Sequence, residues 1–255
     1  MNRVRGVMRV SVFLLLTLAL MPVQMLFTLT SRRLARWFPH VYHMVLKRIL
    51  GFNVIHEGNL PRSGPALLVA NHASWIDIVA LSSVLPVSFI AKREVGTWPL
   101  FGWMAKLQRT VFVDRDKRQG TKRAQDEIST RLMGGDVLVL FPEGTSHDGM
   151  RVLPFKSALF GVAELDGIPV IPVTIAYTRC QGLPMSRRQR PLYAWYGDME
   201  LPPHLWAALE IGVIGITITF HAPLAGGNRK DMARSAEATI RRHLPVALHG
   251  RGQMR

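Results

Sequence analysis

The stretch LLVANHASWIDIVA, residues 67–80, decides the fold. Leu67–Ala70 is a short, continuous apolar run, which is typical of a strand buried on both faces. A second apolar run with helical spacing begins at Trp75, so a strand passes into a helix within a few residues. This unit predicts an α/β fold. His72 and Asp77 lie at the junction, where an ordinary turn residue would suffice.

The same alternation continues along the rest of the chain. We predict strands at Asn53–His56, Leu67–Ala70, Val87–Ala91, Thr110–Val113, Val137–Phe141, Val170–Tyr177 and Val213–Phe220. We predict helices at Trp75–Leu85, Pro99–Leu107, Lys122–Met133, Lys156–Leu165 and Arg229–Leu244. Strands that alternate with helices indicate a mostly parallel, mixed sheet flanked by helices. Residues 181–206 are rich in arginine, proline and glycine and are predicted to be irregular.

Composition narrows the partners of the protein. The 255 residues are 48% hydrophobic and carry a formal net charge of +15. Such an excess of basic residues suits an anionic partner, either nucleic acid or a phospholipid surface. Few aromatic residues lie among the basic clusters and no nucleic-acid-binding module is recognisable, so we expect a membrane surface and no nucleic acid. The single cysteine, Cys180, excludes an internal disulfide framework.

The N-terminal region predicts membrane attachment. Val10–Ser31 contains no charged residue and, at ~1.5 Å per residue, is long enough to cross a hydrocarbon core of ~30 Å. Arginines flank it on both sides, so they do not assign an orientation, and Pro22 allows a kink or a turn back within one leaflet. A buried helix of a soluble fold is the alternative. Arg32–Lys47 is predicted to be a basic interfacial helix that ends before Gly51. We therefore divide the chain into a membrane anchor with this helix, 1–50, and a catalytic domain, 51–255.

His72 and Asp77 are the first candidate site residues. A histidine removes a hydroxyl proton near neutral pH, and a neighbouring carboxylate orients the ring and stabilises the imidazolium. His72 falls in the predicted loop and Asp77 in the first helical turn, so the two side chains can meet. A helix cap is the alternative role for such a pair.

Two further polar stretches follow predicted strands. Glu143, Gly144 and Thr145 come after a buried strand that Pro142 interrupts, and they either form a plain turn or bring a carboxylate and backbone N–H groups to a substrate. Arg115 follows Val111–Val113, where its planar guanidinium either binds a phosphate or carboxylate or forms a surface ion pair. In an open α/β sheet such residues gather beyond the carboxyl ends of the strands.

Other chemistries are disfavoured by the motifs. A serine nucleophile elbow requires a glycine two residues after Ser146, and that position is Asp148. The sequence has no H-E-x-x-H motif and no paired cysteines, so we expect no metal and no cofactor. Without a nucleophilic serine, His72 and Asp77 are expected to act on a hydroxyl group of the substrate. This indicates group transfer to an alcohol.

Four blocks together resemble the glycerolipid acyltransferase family, which includes 1-acylglycerol-3-phosphate acyltransferases. The blocks are Asn71-His72-x4-Asp77, Phe112-Val113-Asp114-Arg115, Phe141-Pro142-Glu143-Gly144-Thr145 and Ile168-Pro169-Val170-Ile171-Pro172-Val173. Their order and spacing match over about residues 65–180. The resemblance implies transfer of an acyl group from acyl-carrier protein or acyl-CoA to a lysolipid hydroxyl. It implies that His72 is the general base and Asp77 its partner. The acceptor-binding groups would be Arg115, Glu143, Gly144 and Thr145.

One departure from the family pattern points to a branch. Many members have a glycine six residues before the arginine of the second block, and this chain has Arg109. With residues 89–94 and 194–198, this looks closer to the bacterial lyso-ornithine lipid acyltransferase branch than to phosphatidate-forming enzymes. The resemblance implies a bacterial inner membrane location with the catalytic domain on the cytoplasmic side. A membrane-bound lipid-binding protein without catalysis and an acyl-CoA hydrolase are the rival hypotheses.

Overall fold

Strands and helices alternate along the chain, as the sequence predicts. The computed structural model describes residues 2–61, 64–114, 118–164 and 167–249. The helices are α1 Arg3–Thr30, α2 Arg32–Leu50, α3 Ile76–Ser82, α4 Phe101–Leu107, α5 Arg118–Met133, α6 Leu201–Glu210 and α7 Arg229–His249. The strands are β1 Phe52–Glu57, β2 Ala66–Ala70, β3 Val87–Lys92, β4 Val111–Val113, β5 Val137–Leu140, β6 Val170–Cys180, β7 Leu183–Pro184 and β8 Ile214–Phe220. Short 3₁₀ helices cover Arg93–Thr97, Ser157–Glu164 and Arg190–Leu192.

The strands of the described residues form one mixed sheet. Its order is β1-β8-β6-β2-β5-β3-β4, with the short β7 paired to β6. β2 lies in the middle, and its Val69 is opposite Leu140 of β5 and Pro172 of β6, both in parallel register. β3 continues the parallel arrangement from β5 to β4, whereas β8 runs antiparallel to β6. The predicted α/β fold with a mostly parallel mixed sheet is confirmed.

Both faces of the sheet are covered. Leu68 and Ala70 of β2 point to one side, where α1, α2, α3 and α6 pack. Leu67 and Val69 point to the other side, against α5, α7 and the 3₁₀ turns at 157–164. All four side chains are fully buried, which is why β2 reads as a continuous apolar run rather than as an alternating one. Each such side chain contributes ~1.5–3 kcal/mol of hydrophobic stabilisation.

The first fifty residues form a helical hairpin. α1 and α2 meet at Ser31, whose extended backbone reverses the chain and whose hydroxyl caps α2 at Leu34. α2 ends at Gly51, as predicted, in the left-handed conformation (φ 80°) that glycine adopts without strain. α1 begins at Arg3, ahead of the uncharged stretch that starts at Val10, and Asn2 caps its first turn.

The arginines at the start of α2 are bound to the α/β domain. Arg36 lies 3.4 Å from the Asp136 carboxylate and Arg32 lies 3.6 Å from it, so they do not both face lipid head groups as the interfacial-helix hypothesis assumed. Arg131 also contacts this buried carboxylate, and Arg109 donates to it at 2.9 Å. Asp136 therefore joins the hairpin to the base of the sheet.

Arg109 occupies the position where the sequence departs from the family pattern. Its backbone is left-handed, with φ 60°, a conformation that a glycine adopts at no cost and other residues adopt rarely. The ion pair with Asp136 offsets the backbone strain of the arginine at this position. At this position the glycine of the family pattern is thus replaced by an arginine that is bound to Asp136.

The segment 181–206 is not irregular throughout, so that prediction was partly wrong. It contains β7 and the start of α6 at Leu201. Pro202 and Pro203 lie in the first turn of α6, where proline is tolerated because the first N–H groups of a helix have no partner. The two prolines were a helix-start signal that the sequence analysis interpreted as a loop.

The predicted helix Lys156–Leu165 is also different in the structure. Ser157–Glu164 forms 3₁₀ turns, and Leu165 lies outside the described residues. Gly161 lies in the middle of this segment, and glycine disfavours an α-helix by ~1 kcal/mol relative to alanine. Phe160 is nevertheless fully buried, so the segment covers the sheet as a helix would.

Candidate active site

The polar blocks meet at one edge of the sheet. β2, β5, β3 and β4 are parallel, so their carboxyl ends lie on the same side. His72 follows β2, Glu143 to Thr145 follow β5, and Lys92 ends β3. The structure therefore brings the two catalytic candidates together with the Glu-Gly-Thr block. Arg115, the remaining predicted binding residue, lies outside the described residues.

His72 and Asp77 form a hydrogen-bonded pair. His72 Nδ1 is 2.9 Å from Asp77 Oδ2, and since a carboxylate only accepts here, Nδ1 carries the proton. Oδ2 also accepts from the backbone N–H groups of Ala73 and Ser74, at 2.8 and 3.0 Å. The Asp77 side chain is fully buried, whereas His72 keeps 18% of its side chain exposed. Nε2 of His72 is therefore the unprotonated nitrogen, which is able to accept a proton.

Tyr177 completes the environment of Asp77. Its hydroxyl donates to the second carboxylate oxygen, Oδ1, at 2.6 Å. Burial, and then the negative charge of Asp77, raise the pKa of Tyr177 well above its usual value, so the phenol keeps its proton and remains a donor. Both carboxylate oxygens are therefore held, and the carboxylate cannot rotate away from His72.

Replacing Tyr177 with phenylalanine should lower kcat by about tenfold and leave KM within about twofold. The change removes the hydroxyl, which donates to Asp77 Oδ1 and also contacts Ser74, so Oδ1 loses its donor. Tyr177 does not line the apolar cavity that adjoins His72. Steady-state kinetics checks this. Tyr42→Phe is the matched control, because it removes a hydroxyl bonded to Thr17, away from the site. A kcat for Tyr177→Phe equal to that of the control would contradict the role.

Two other contacts orient the loop between β2 and α3, residues 71–75, which carries His72 and is called the catalytic loop below. The Asn71 side-chain amide bonds both the N–H and the C=O of Ile175, each at 2.9 Å, and so ties the end of β2 to β6. The His72 ring stacks on Phe141, with ring centroids 4.1 Å apart. Phe141 in turn stacks on Phe89 of β3. The ring plane of His72 is thus set by the strand that precedes the Glu-Gly-Thr block.

The Glu-Gly-Thr block divides into two parts. Gly144 and Thr145 line the cavity, and Gly144 has a positive φ of 76° that turns the chain there. The Glu143 carboxylate is turned away from the cavity, completely buried, with Oε2 2.8 Å from His147 Nε2. Burial raises the pKa of Glu143, and the hydrogen bond from His147 offsets part of that rise. Burial lowers the pKa of His147, but Glu143 and Asp148 together raise it above its usual value.

An apolar cavity of about 350 Å³ adjoins His72. Its inner wall comes from α1, α2, α4 and α6, and includes Phe13, Leu46, Leu50, Met104 and Leu209. The N-terminal hairpin therefore forms part of the site, although the predicted boundary at residue 50 assigned it to the anchor alone. A cavity of this kind accommodates an extended hydrocarbon chain next to a proton acceptor.

The mouth of the cavity is aromatic and carries one cation among its described lining residues. Lys92, Trp98, Trp195 and Tyr196 line it, and the two tryptophan rings meet edge to face at 5.8 Å. The backbone N–H of Trp195 donates to the carbonyl of Ala73 at 2.8 Å, which fixes the mouth to the catalytic loop. Ser146 donates its hydroxyl to the carbonyl of Trp195, so it is engaged in structure rather than poised as a nucleophile.

Tyr177 and His147 were not among the predicted site residues, and Trp195 appeared only within the stretch 194–198 that pointed to a branch of the family. Tyr177 lies one hundred residues from Asp77 and belongs to a strand that is apolar throughout, so no local signal marks it. His147 lies between Ser146 and Asp148, in a motif that was interpreted only with respect to a serine hydrolase.

Among the described residues, no cluster of three or more histidine, cysteine or acidic side chains is arranged to hold a metal ion.

Comparison with known proteins identifies the family. A model of the family described as Acyltransferase matches residues 51–176. The lyso-ornithine lipid O-acyltransferase of Brucella abortus is 46% identical over 252 residues, which is 95% of this chain and 94% of that protein. This chain belongs to the acyltransferase family. The resemblance of the four sequence blocks is confirmed, and the protein is an acyltransferase.

Two more distant relatives support the family and the fold. The 1-acyl-sn-glycerol-3-phosphate acyltransferase of Neisseria gonorrhoeae is 38% identical over 154 residues, 60% of this chain and 58% of that protein. The crystal structure of the 1-acyl-sn-glycerophosphate acyltransferase from Thermotoga maritima superposes with a TM-score of 0.71 at 20% identity. That match covers 96% of this chain and 95% of the other, so the acyltransferase and its N-terminal hairpin share one fold with it.

Proposed function

We propose that the protein transfers a fatty acyl group to the free hydroxyl of a lysolipid. The observation that carries this is the position of His72, with Nδ1 bound to Asp77 and Nε2 left for the substrate at the wall of an apolar cavity. The cavity supports binding of a hydrocarbon chain, and each buried CH₂ contributes ~0.8 kcal/mol. The base supports activation of an alcohol.

The reaction follows from this geometry. Nε2 of His72 removes the hydroxyl proton as the lysolipid oxygen attacks the carbonyl carbon of an acyl thioester. The new C–O bond forms, the C–S bond breaks, and the proton passes from the imidazolium to the departing thiolate. Asp77 stabilises the imidazolium while the proton resides on His72. The donor in this proposal is acyl-acyl-carrier protein or acyl-CoA, because both present the required thioester.

Lyso-ornithine lipid is the acceptor we favour. The relative from Brucella abortus that carries this name aligns over nearly the whole chain, including the hairpin that lines the cavity. The relative from Neisseria gonorrhoeae aligns over 60% of this chain and supports lysophosphatidic acid as the second candidate acceptor.

Thr145 and Lys92 line the part of the cavity wall where we propose that the acceptor head group lies. Arg115 and Gly144 remain proposed binding residues. The Glu143 carboxylate supports the block from behind.

A side-by-side acceptor assay tests the function. Purified protein is given a labelled acyl thioester with lyso-ornithine lipid or with lysophosphatidic acid, and the products are separated. We expect acylated ornithine lipid as the main product. Equal or faster formation of phosphatidic acid would shift the assignment to the second acceptor. Release of free fatty acid alone would identify a hydrolase, and the absence of turnover with every acceptor and donor would favour a binding protein.

We also propose that α1 and α2 lie in one leaflet of the membrane. An exposed apolar surface covers both helices, and it comprises Val4, Val7, Met8, Leu15, Leu18, Leu26, Leu29, Leu34, Trp37, Val41 and Val45. An apolar face of this size on a monomer indicates contact with another apolar phase. α1 has the length and hydropathy of a membrane span, and only 17% of its most apolar window is buried in the protein.

The packing of α1 favours a helix that lies along the membrane rather than one that crosses it. Near its start, the Arg9 guanidinium donates to the backbone carbonyls of Leu209, Ile211 and Gly212, at 2.9–3.1 Å. Near its end, the Gln24 amide donates to the carbonyl of Leu107 at 2.7 Å. These two tethers are separated by a rise of roughly 22 Å, and a helix bound at both to a water-soluble domain cannot also cross a ~30 Å core. We further propose, from the resemblance to bacterial enzymes alone, that the active site faces the cytoplasmic side of a bacterial inner membrane.

Adding charge to the exposed apolar surface should release the protein from membranes. Leu15→Glu with Leu18→Glu changes two side chains that are 70% and 58% exposed, so the fold is preserved. We expect the partition coefficient onto phospholipid vesicles to fall by tenfold or more, since each leucine contributes ~1.5 kcal/mol or more. Vesicle flotation at high salt measures this.

Leu183→Glu is the matched control, because Leu183 is 71% exposed on β7, outside the hairpin. A double variant that binds neutral vesicles as tightly as this control would contradict the proposed orientation. Point changes are preferable to deletion of residues 1–31, which would also remove Phe13 from the cavity wall.

A further inference from the structure

Glu143 and His147 form a buried pair beneath the catalytic loop. His147 Nδ1 accepts a hydrogen bond from the backbone N–H of Gly149 at 3.0 Å. Asp148 also lies 3.4 Å from Nδ1, but the N–H group of Gly149 can only donate, so Nδ1 is the acceptor in this arrangement. The proton therefore lies on Nε2, which faces Glu143 Oε2 at 2.8 Å. The side chain of His147 is 5% exposed and that of Glu143 is not exposed at all.

The residue pair is joined to the main chain of His72 through His147. The backbone N–H of His147 donates to the carbonyl oxygen of His72 at 3.3 Å. The side chain of the same residue lies against the Glu143 carboxylate at 2.8 Å. The loop that carries the proposed base is thus bound to the loop that follows β5 through His147. Neither of these two side chains lines the cavity.

We infer that His147 is a positioning residue of the acyl-transfer reaction: the contact of its Nε2–H with the Glu143 carboxylate holds its backbone N–H on the carbonyl oxygen of His72. The inference rests on the proposed role of His72 as the base. It assigns Glu143 to the support of His147 rather than to direct contact with the acceptor. A buried carboxylate that loses its partner either takes up a proton or moves, and in both cases the turn that binds the His72 carbonyl is held less firmly.

Two substitutions at one position test this. His147→Gln places an amide N–H donor where Nε2–H lies, whereas His147→Phe fills the space of the ring without a donor. Both variants lose the acceptor for Gly149, so the difference between them reports the bond to Glu143 alone. We expect kcat to fall roughly 10- to 150-fold in His147→Phe, with KM within about twofold, and to stay within about threefold of wild type in His147→Gln. Equal losses in both variants would overturn the inference.

Glu143→Gln provides a second, nearly isosteric variant if His147→Phe fails to fold, as judged by thermal unfolding. The amide carries no negative charge, so its contact with Nε2–H of His147 is weaker and kcat should fall at unchanged KM. A rise in KM at unchanged kcat would instead assign Glu143 to the acceptor and overturn the inference. In the double variant Glu143→Gln with His147→Phe, the loss should be no larger than the greater single loss, because both act through one contact. Additive losses would contradict this.

The test of the positioning role of His147 can be interpreted separately from the test of the proposed function. The ratio of kcat between the Gln and Phe variants is measured with whichever lysolipid the wild type acylates, so a change of acceptor leaves it intact. If His72→Ala retains activity, the proposed base is wrong, whatever the His147 variants show. If His72→Ala is inactive and the two His147 variants behave alike, only the positioning role fails.

Discussion

Replacing His72 with alanine should reduce acyl transfer by roughly 10²–10⁴-fold, the usual contribution of a general base. The variant lacks the Nε2 acceptor, and within the described lining of the cavity the other imidazole, His43, is fully buried at its far side. Burial lowers the pKa of His43 to about 4, so it is a weak base, and its Nδ1 is engaged with the carbonyl of Pro39 at 2.7 Å. We therefore expect no substitute base, and a loss in kcat rather than in KM.

The assay for His72→Ala uses initial rates of lipid product formation at saturating donor and acceptor. His56→Ala is the control, because His56 is exposed on β1, away from the cavity. Vesicle binding should be unchanged in both variants, since the apolar surface of α1 and α2 is intact. Activity of His72→Ala above one hundredth of wild type would show that the histidine is not the base.

Asp77→Asn should be the second most damaging change, with a loss in kcat of roughly 10³-fold. Three N–H groups point at Oδ2, from His72, Ala73 and Ser74, so the asparagine must place its oxygen there. Its NH₂ group then faces Tyr177, whose hydroxyl has lost its acceptor. The ring stays in place, but the negative charge opposite the imidazolium is gone, and at ~4 Å such a pair is worth about 4 kcal/mol at an effective dielectric constant near 20.

A matched change at an exposed acid separates this effect from a general loss of charge. Asp126→Asn on α5 removes the same charge at an exposed position and should keep wild-type kinetics. Because Tyr177 acts through Asp77, adding Tyr177→Phe to Asp77→Asn should cost much less than it does in the wild type. Full additivity of the two losses, or a kcat for Asp77→Asn within tenfold of wild type, would contradict the proposed roles.

The α/β architecture was predictable because it rests on local patterns. β2 and β5 are buried on both faces, so their apolar runs are continuous, and the motifs follow them directly. Parallel strands bring their carboxyl ends to one edge, which is why His72 and the block at 143–145 were expected to meet before any distance was known. The errors fell where the local signal was ambiguous, as at Pro202 and Pro203 in α6.

By itself, the sequence determined the family, the sheet, the His72–Asp77 pair and an apolar N-terminal helix, because each is encoded within a few consecutive residues. Only the tertiary structure decided that Tyr177 holds Asp77, that His147 is turned to Glu143, and that α1 is tethered at Arg9 and Gln24. Those contacts depend on side-chain directions, and most join residues far apart in the chain. Burial makes these contacts necessary for stability, because a polar group removed from water must find its hydrogen-bond partner inside the fold.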